Sequence, residues 1–152
     1  ANNHAETIER IAPYRYRAAL APHRAARLEQ QQVYLESLVD ACSRDHAENR
    51  LIVEGAGGFY SPLAENGLNA DLASSLQLPV IIVINNRIGA VNQGLLTLYA
   101  VQSRQLRVAA MVLNQINPQI DNDMDNASDL KSYCDLPLFC CGHDAPLPML
   151  FS

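Results

Sequence analysis

The sequence lacks tryptophan, contains a single lysine, Lys131, and has no run of basic residues. Its formal net charge is −5 at pH 7. A nucleic-acid-binding surface needs clustered lysine and arginine side chains to neutralise phosphates. These absences argue against a nucleic-acid partner.

Long apolar runs are also missing. No stretch of about 18 consecutive residues is apolar enough to predict a membrane-spanning helix, and the polar start does not resemble a signal peptide. We therefore expect no membrane partner and a cytoplasmic location. The chain begins with Ala1 and not with methionine, which suggests that a preceding portion was removed or is absent from the sequence.

The four cysteines form no Cys-x-x-Cys pair. This argues against the disulfide framework of a secreted protein and favours reduced thiols. A metal site is the less favoured alternative, because the spacing of its candidate ligands matches no structural zinc pattern. Those candidates are Cys134, Cys140, Cys141 and His143.

Apolar runs and helical patterns alternate along the chain, which indicates an α/β fold with a doubly wound, mostly parallel sheet. Because 49% of the 152 residues are hydrophobic, we expect a single domain, residues 1–152, around one core. Buried strands are predicted at residues 51–54, 79–84 and 108–113, with a fourth short strand at 137–141. Helices are predicted at 22–46, 70–76 and 90–105, and within the segment 121–131.

One segment combines a strand pattern with residues suited to a ligand. A short apolar run leads into Glu54 and then into a glycine-rich loop that contains Gly55, Ala56 and Gly57. Ligands bind beyond the carboxyl ends of strands in open α/β sheets, and Glu54 occupies that position. Glycine lets backbone N–H groups approach an anion, and a carboxylate suits a hard cation that holds phosphate oxygens. The alternative is a strand end followed by an ordinary turn.

Two later positions offer further ligand contacts. Asn114 follows a strand, and its amide can both donate to and accept from a purine edge. A predicted helix start has free N–H groups and a dipole that favour an anion. Each has a plain structural alternative, since every helix has such a start and a loop asparagine can simply cap a turn. The residues of that helix start are Gly89, Ala90, Val91 and Asn92.

Together these segments resemble the dethiobiotin synthetase family of biotin biosynthesis. The most specific match is Val-Glu-Gly-Ala-Gly-Gly at residues 53–58, with its spacing to Asn114. The other matches occur in order between roughly residues 10 and 140. They are Pro-Tyr at 13–14, Ala-Pro-His at 21–23, Ser-Pro-Leu at 61–63, Asp-Leu-Ala at 71–73, the apolar segment at 78–83, Gly-Ala-Val-Asn at 89–92, Leu-Leu-Thr at 95–97 and Val-Leu-Asn at 112–114.

The resemblance implies a P-loop NTPase-type fold, a homodimer and a ligase reaction that requires ATP and Mg2+. In this reaction 7,8-diaminononanoate takes up carbon dioxide as a carbamate, the γ-phosphate activates the carbamate, and the second amine closes a cyclic urea. By position, the resemblance assigns Mg2+ to Glu54 and adenine to Asn114. It assigns the phosphates to Glu54, Gly55, Ala56 and Gly57, and the substrate's carboxylate tail, across the dimer interface, to Gly89, Ala90, Val91 and Asn92.

Several parts of the family pattern have no counterpart in the 152 residues: the phosphate-binding loop, a second catalytic lysine and a second acidic Mg2+ ligand. Phosphoryl transfer depends on such groups, so we assign no catalytic residue and expect residues 1–152 alone to be inactive. A sheet that lacks a strand exposes an apolar edge, so we also expect this portion to aggregate when expressed alone. Cys-Cys-Gly-His at 140–143 replaces the family's Gly-x-Ile-Pro segment near the adenine.

Two other functions stay open at this point. The chain could be a homologue that keeps the fold as a binding or dimerisation module without catalysis. It could also belong to another P-loop enzyme of the cobyrinate amidotransferase type, which shares the strand, glutamate and glycine pattern. Phosphate release that depends on carbon dioxide and diaminononanoate distinguishes these functions.

Overall fold

The computed structural model describes residues 8–43, 51–55, 57–118 and 123–145. Within these ranges the chain forms six helices and five strands, and it divides after Leu76 into two compact units. The predicted α/β class is confirmed, whereas the single domain stays a prediction. No helix in the described ranges is long and apolar enough to cross a bilayer.

The first unit is a set of short helices around a two-stranded antiparallel hairpin. Its buried core consists of small and aliphatic side chains, and α2 packs against β1 while α3 packs against α4. The elements are α1 (Ile8–Ile11), α2 (Pro22–Leu28), α3 (Leu35–Ser43), β1 (Pro62–Ala64), β2 (Gly67–Leu68) and α4 (Asn69–Leu76).

The long helix predicted at residues 22–46 is wrong in part, because the chain stops and restarts within it. Gln30 adopts a left-handed conformation with φ 57°. The N–H of Gln31 donates to the carbonyl of Ala26 at 2.9 Å, and the N–H of Gln30 donates to that of Arg27 at 3.1 Å. This pair of bonds is a Schellman ending, which usually has glycine at the left-handed position. Glutamine there hides the helix end from a sequence-based prediction.

The second unit contains the parallel sheet. Its strands lie in the order β3 (Val80–Asn85), β4 (Val108–Asn114) and β5 (Leu138–Cys141), all parallel. The strands predicted at 79–84, 108–113 and 137–141 are therefore confirmed with slightly shifted ends. The sheet places the carboxyl ends of all three strands at one edge.

Two helices accompany this sheet, α5 (Ala90–Ser103) and α6 (Asn126–Tyr133). Helix α5 packs on β3 and β4 through Gly94, where an added Cβ would lie 2.8 Å from Cδ1 of Ile84. The absence of a side chain at Gly94 thus allows close approach of helix and sheet. Asp125 caps α6 by accepting a hydrogen bond from the N–H of Ser128 at 3.1 Å, and bonds from Ser128 lower the pKa of the Asp125 carboxyl.

The strand predicted at residues 51–54 is wrong, because the structure places no strand at residues 51–55. Leu51 and Val53 are half-buried, but Ile52 is 81% exposed. A strand needs a hydrogen-bonding neighbour as well as an apolar sequence. Among the described strands, none pairs with this segment, so the apolar pattern alone does not produce a strand here.

Candidate functional site

The glycine-rich loop of the first unit follows Glu54, whose side chain is exposed. Gly57 has φ 81°, and a Cβ added there would lie 2.7 Å from Oγ of Ser61. Ser61 Oγ accepts a hydrogen bond from the N–H of Gly58 at 2.8 Å, and the N–H of Ser61 donates to the Gly58 carbonyl at 2.9 Å. Both the positive φ and the close Ser61 side chain therefore favour glycine at position 57. Ala56 lies outside the described residues.

Asn69, the first residue of α4, holds this loop from the other side. Its Nδ2 donates to the Gly58 carbonyl at 3.0 Å, and its backbone N–H donates to the Ser61 carbonyl at 3.0 Å. A Cβ added at Gly55 would lie 2.8 Å from Oδ1 of Asn69. Side chains added at positions 55 and 57 would therefore meet those of Asn69 and Ser61, which hold the loop in its path. Sequence reasoning used Ser61 as a landmark of the family resemblance and missed the part that Ser61 and Asn69 play in shaping the loop.

In the second unit, Asn114 ends β4 between the ends of its two neighbours. It pairs with Asn85 of β3 on one side and with Cys141 of β5 on the other. The Asn114 carbonyl accepts a hydrogen bond from the N–H of Asn86 at 2.8 Å. The predicted adenine contact therefore stands at the carboxyl edge of a parallel sheet, where α/β proteins bind ligands.

The start of α5 follows directly from the loop after β3. Gly89 has φ 87°, is exposed, and has no atom within 4 Å of an added Cβ. Ala90 is fully buried, Val91 is half-buried and Asn92 is exposed. Of the first-turn N–H groups, that of Ala90 donates to the Arg87 carbonyl at 3.0 Å, so an anion that approached over Gly89 would meet those of Val91 and Asn92. Within this unit, Asn86 connects the end of β4 to the loop that enters α5.

Glu54, Gly55 and Gly57 belong to the first unit, whereas Asn114 and the start of α5 belong to the second. Among the described residues, no three or more His, Cys, Asp or Glu side chains lie together as a metal site. The Glu54 carboxylate therefore belongs to no such cluster among the described residues. In the segment at 140–143, Cys140 is exposed, Cys141 is buried, and Nε2 of His143 lies 3.3 Å from Oδ2 of Asp144.

A family model described as "AAA domain" matches residues 1–143. The chain belongs to this family. The resemblance stated from the sequence is also confirmed, because curated relatives are named ATP-dependent dethiobiotin synthetase BioD. The three-stranded parallel sheet is consistent with the P-loop NTPase-like fold expected of this AAA-domain chain.

Three such relatives illustrate the similarity. The protein of Ruthia magnifica subsp. Calyptogena magnifica is 38% identical over 133 residues, which cover 88% of this chain and 60% of the relative. That of Anaeromyxobacter dehalogenans strain 2CP-1 is 41% identical over 132 residues, covering 86% of this chain and 59% of the relative. That of Bacillus subtilis strain 168 is 35% identical over 132 residues, covering 86% and 57%. This AAA-domain chain thus spans about three fifths of the length of the relatives that it matches.

Proposed function

We propose that this chain is part of a dethiobiotin synthetase, an ATP- and Mg2+-dependent ligase of biotin biosynthesis. Its substrates would be 7,8-diaminononanoate and carbon dioxide, and its product a cyclic urea. The observation that carries the proposal is the loop after Glu54, in which Gly57 has φ 81° and a Cβ added there would lie 2.7 Å from Oγ of Ser61. Glycine at such a position lets an anion approach the backbone next to an exposed carboxylate.

The residues present fit Mg2+ and ATP. Glu54 has an exposed carboxylate, the oxygen ligand that Mg2+ prefers, and would hold the cation. The backbone of Gly55, Ala56 and Gly57 would line the phosphates. Asn114, at the carboxyl edge of the sheet, would contact adenine through its amide. Bound Mg2+ and ATP would supply the phosphoryl group that activates the carbamate and the positive charge that neutralises it.

The start of α5 would bind the carboxylate tail of the substrate. The exposed Gly89 leaves the approach open, and the helix dipole adds a positive partial charge there. The groups so placed are Gly89, Ala90, Val91 and Asn92. We further propose that the protein is a homodimer in which the substrate's tail is held across the dimer interface, and that it acts in the cytoplasm. The lysine side chains and second acidic ligand that phosphoryl transfer requires would come from sequence beyond these residues.

The test uses the full-length natural gene product that contains this chain. We expect phosphate release from ATP that requires Mg2+, carbon dioxide and 7,8-diaminononanoate together. Glu54→Gln keeps the size of the side chain and removes its charge, so the rate should fall at least about 100-fold. Asp40→Asn makes the same chemical change at an exposed position of α3 and should leave the rate within about twofold.

Two results would overturn this proposal. One is a full-length protein that releases no phosphate with these substrates, which would favour a binding module or a different ATP-dependent reaction. The other is a Glu54→Gln variant as active as its parent, which would remove Glu54 from the site.

A further inference from the structure

Asn126, at the start of α6, is the one buried polar side chain in the part of the chain that the structure describes, with 7% of its surface exposed. Its Nδ2 donates to Oδ1 of Asn86 at 2.8 Å and to the carbonyl of Arg87 at 3.1 Å. Both acceptors lie about 40 positions earlier in the sequence, in the loop that follows β3. Asn126 therefore ties the start of one helix to the loop that leads into another.

Each of the two acceptor residues, Asn86 and Arg87, is also hydrogen-bonded to one of the proposed ligand-binding positions. The backbone N–H of Asn86 donates to the carbonyl of Asn114 at 2.8 Å. The Arg87 carbonyl accepts the N–H of Ala90 at 3.0 Å, which closes the turn at the start of α5. A single amide group thus links the end of β4 to the first turn of α5.

A purely structural role explains this arrangement less well. Helix α6 already has its cap in Asp125, which accepts from the N–H of Ser128, so Asn126 is not required for that purpose. A buried amide is costly unless its hydrogen bonds are made, and an apolar side chain would fill a core position without that cost. The Asn126 amide instead donates both of its hydrogen bonds to the loop of residues 86–87.

We propose that Asn126 is a positioning residue, which fixes the loop of residues 86–90 and thereby the spacing between Asn114 and the first turn of α5. The identity of the two ligand groups, adenine and a carboxylate tail, rests on the proposed function. The positioning itself concerns only the order of the loop. Asn126 touches neither ligand in this scheme and acts through Asn86 and Arg87.

The first measurement is hydrogen exchange in the full-length natural protein. Asn126→Ala removes both bonds, so we expect the amides of Asn86 and Ala90 to exchange about tenfold faster while the strands keep their protection. Asp129→Ala, an exposed truncation in the same helix, is the matched control and should leave these two amides unchanged. If Asn126→Ala fails to fold, Asn86→Ala replaces it. That variant removes the bond from Asn126 Nδ2 to Asn86 Oδ1 and keeps the bond to the Arg87 carbonyl, so we expect a smaller increase in exchange at Ala90.

The second measurement is ligand binding. We expect the KM for 7,8-diaminononanoate and the Kd for Mg-ATP each to rise about tenfold, with kcat within about twofold of the parent. A residue with only a structural role would lower the melting temperature and the amount of active protein, and would leave KM unchanged. Unchanged exchange at Asn86 and Ala90 overturns the proposal, and so does faster exchange with unchanged KM and Kd. If the parent itself does not use diaminononanoate, the proposed function fails, and the exchange experiment still decides whether Asn126 orders the loop.

Discussion

Arg27 and Glu65 form a two-point ion pair that joins α2 to the turn of the β1–β2 hairpin. Nε of Arg27 donates to Oε1 of Glu65 at 2.8 Å, and its Nη2 donates to Oε2. The Arg27 side chain is 62% exposed, whereas that of Glu65 is 11% exposed. The N–H of Glu65 also donates to the carbonyl of Val33 at 2.9 Å, so the hairpin turn is fixed by side chain and backbone together.

This pair predicts a pH dependence of stability. The hydrogen bonds from Arg27 lower the pKa of Glu65 below its ordinary value of 4.5. A carboxyl whose pKa is lower in the folded state stabilises the fold above its unfolded pKa, and this contribution disappears as the pH falls through the folded pKa. We therefore expect Glu65→Gln to lower the melting temperature at pH 6, and the difference from the parent to shrink steadily below about pH 4.5. A difference that stays constant down to pH 3 would mean that the ion pair contributes nothing through its charge.

A side chain at position 57 should destabilise the fold. Gly57→Ala places a Cβ 2.7 Å from Oγ of Ser61 on a backbone with φ 81°, so we expect a loss of about 1–3 kcal/mol in the free energy of unfolding. Gly58→Ala is the matched control, because a Cβ there would lie 3.7 Å from the same oxygen, an ordinary contact. Urea unfolding of both variants measures the difference. Equal stability of the two would show that the loop can rearrange around position 57.

The sheet of the second unit could be predicted from sequence because each of its strands has an apolar pattern and pairs with another strand of the same unit. The apolar runs that end at Asn85 and Asn114 pair with each other in the structure, and the helix pattern between them becomes α5. The positions of Asn114 and Gly89 relative to these elements follow directly, since each stands at the end or the start of a regular element. Local pattern and tertiary neighbours agree here, and the prediction holds.

Other features depend on geometry that local patterns do not contain. Residues 51–54 have the composition of a strand but no pairing partner among the described strands. The break after α2 depends on Gln30 in a left-handed conformation that glycine would normally signal. The part played by Asn126 requires a contact with Asn86 across 40 positions, which one sequence cannot reveal.

The packing of α6 gives a prediction for the core of the second unit. Leu130 has no exposed surface, and its Cδ2 would lie 3.3 Å from a Cβ added at Gly94 of α5. Leu130→Ala should therefore cost about 2–5 kcal/mol in the free energy of unfolding, because the cavity cannot be filled without moving a helix. Leu96→Ala removes the same atoms from a side chain that is 62% exposed and should cost less than about 0.5 kcal/mol. Equal losses for both variants would contradict the packing of α6 against α5.

The described cysteines should differ strongly in reactivity. Cys140 is exposed, whereas Cys141 is buried with 4% of its surface accessible. Burial raises the pKa of the half-buried Cys42 thiol, so less thiolate forms there at a given pH. Because the thiolate is the reactive species, we expect iodoacetamide at pH 8 to label Cys140 at least about tenfold faster than Cys141 or Cys42.

The same experiment separates reduced thiols from the less favoured metal site. Raising the pH should increase the labelling of Cys42, since its raised pKa delays the formation of thiolate to higher pH. Zinc added before the reagent should leave the rate at Cys140 unchanged, because the described cysteines, with His143, form no metal cluster. Mass spectrometry of the labelled peptides reports each site separately. Protection of Cys140 by zinc would instead show that Cys140 and its neighbours bind a metal ion.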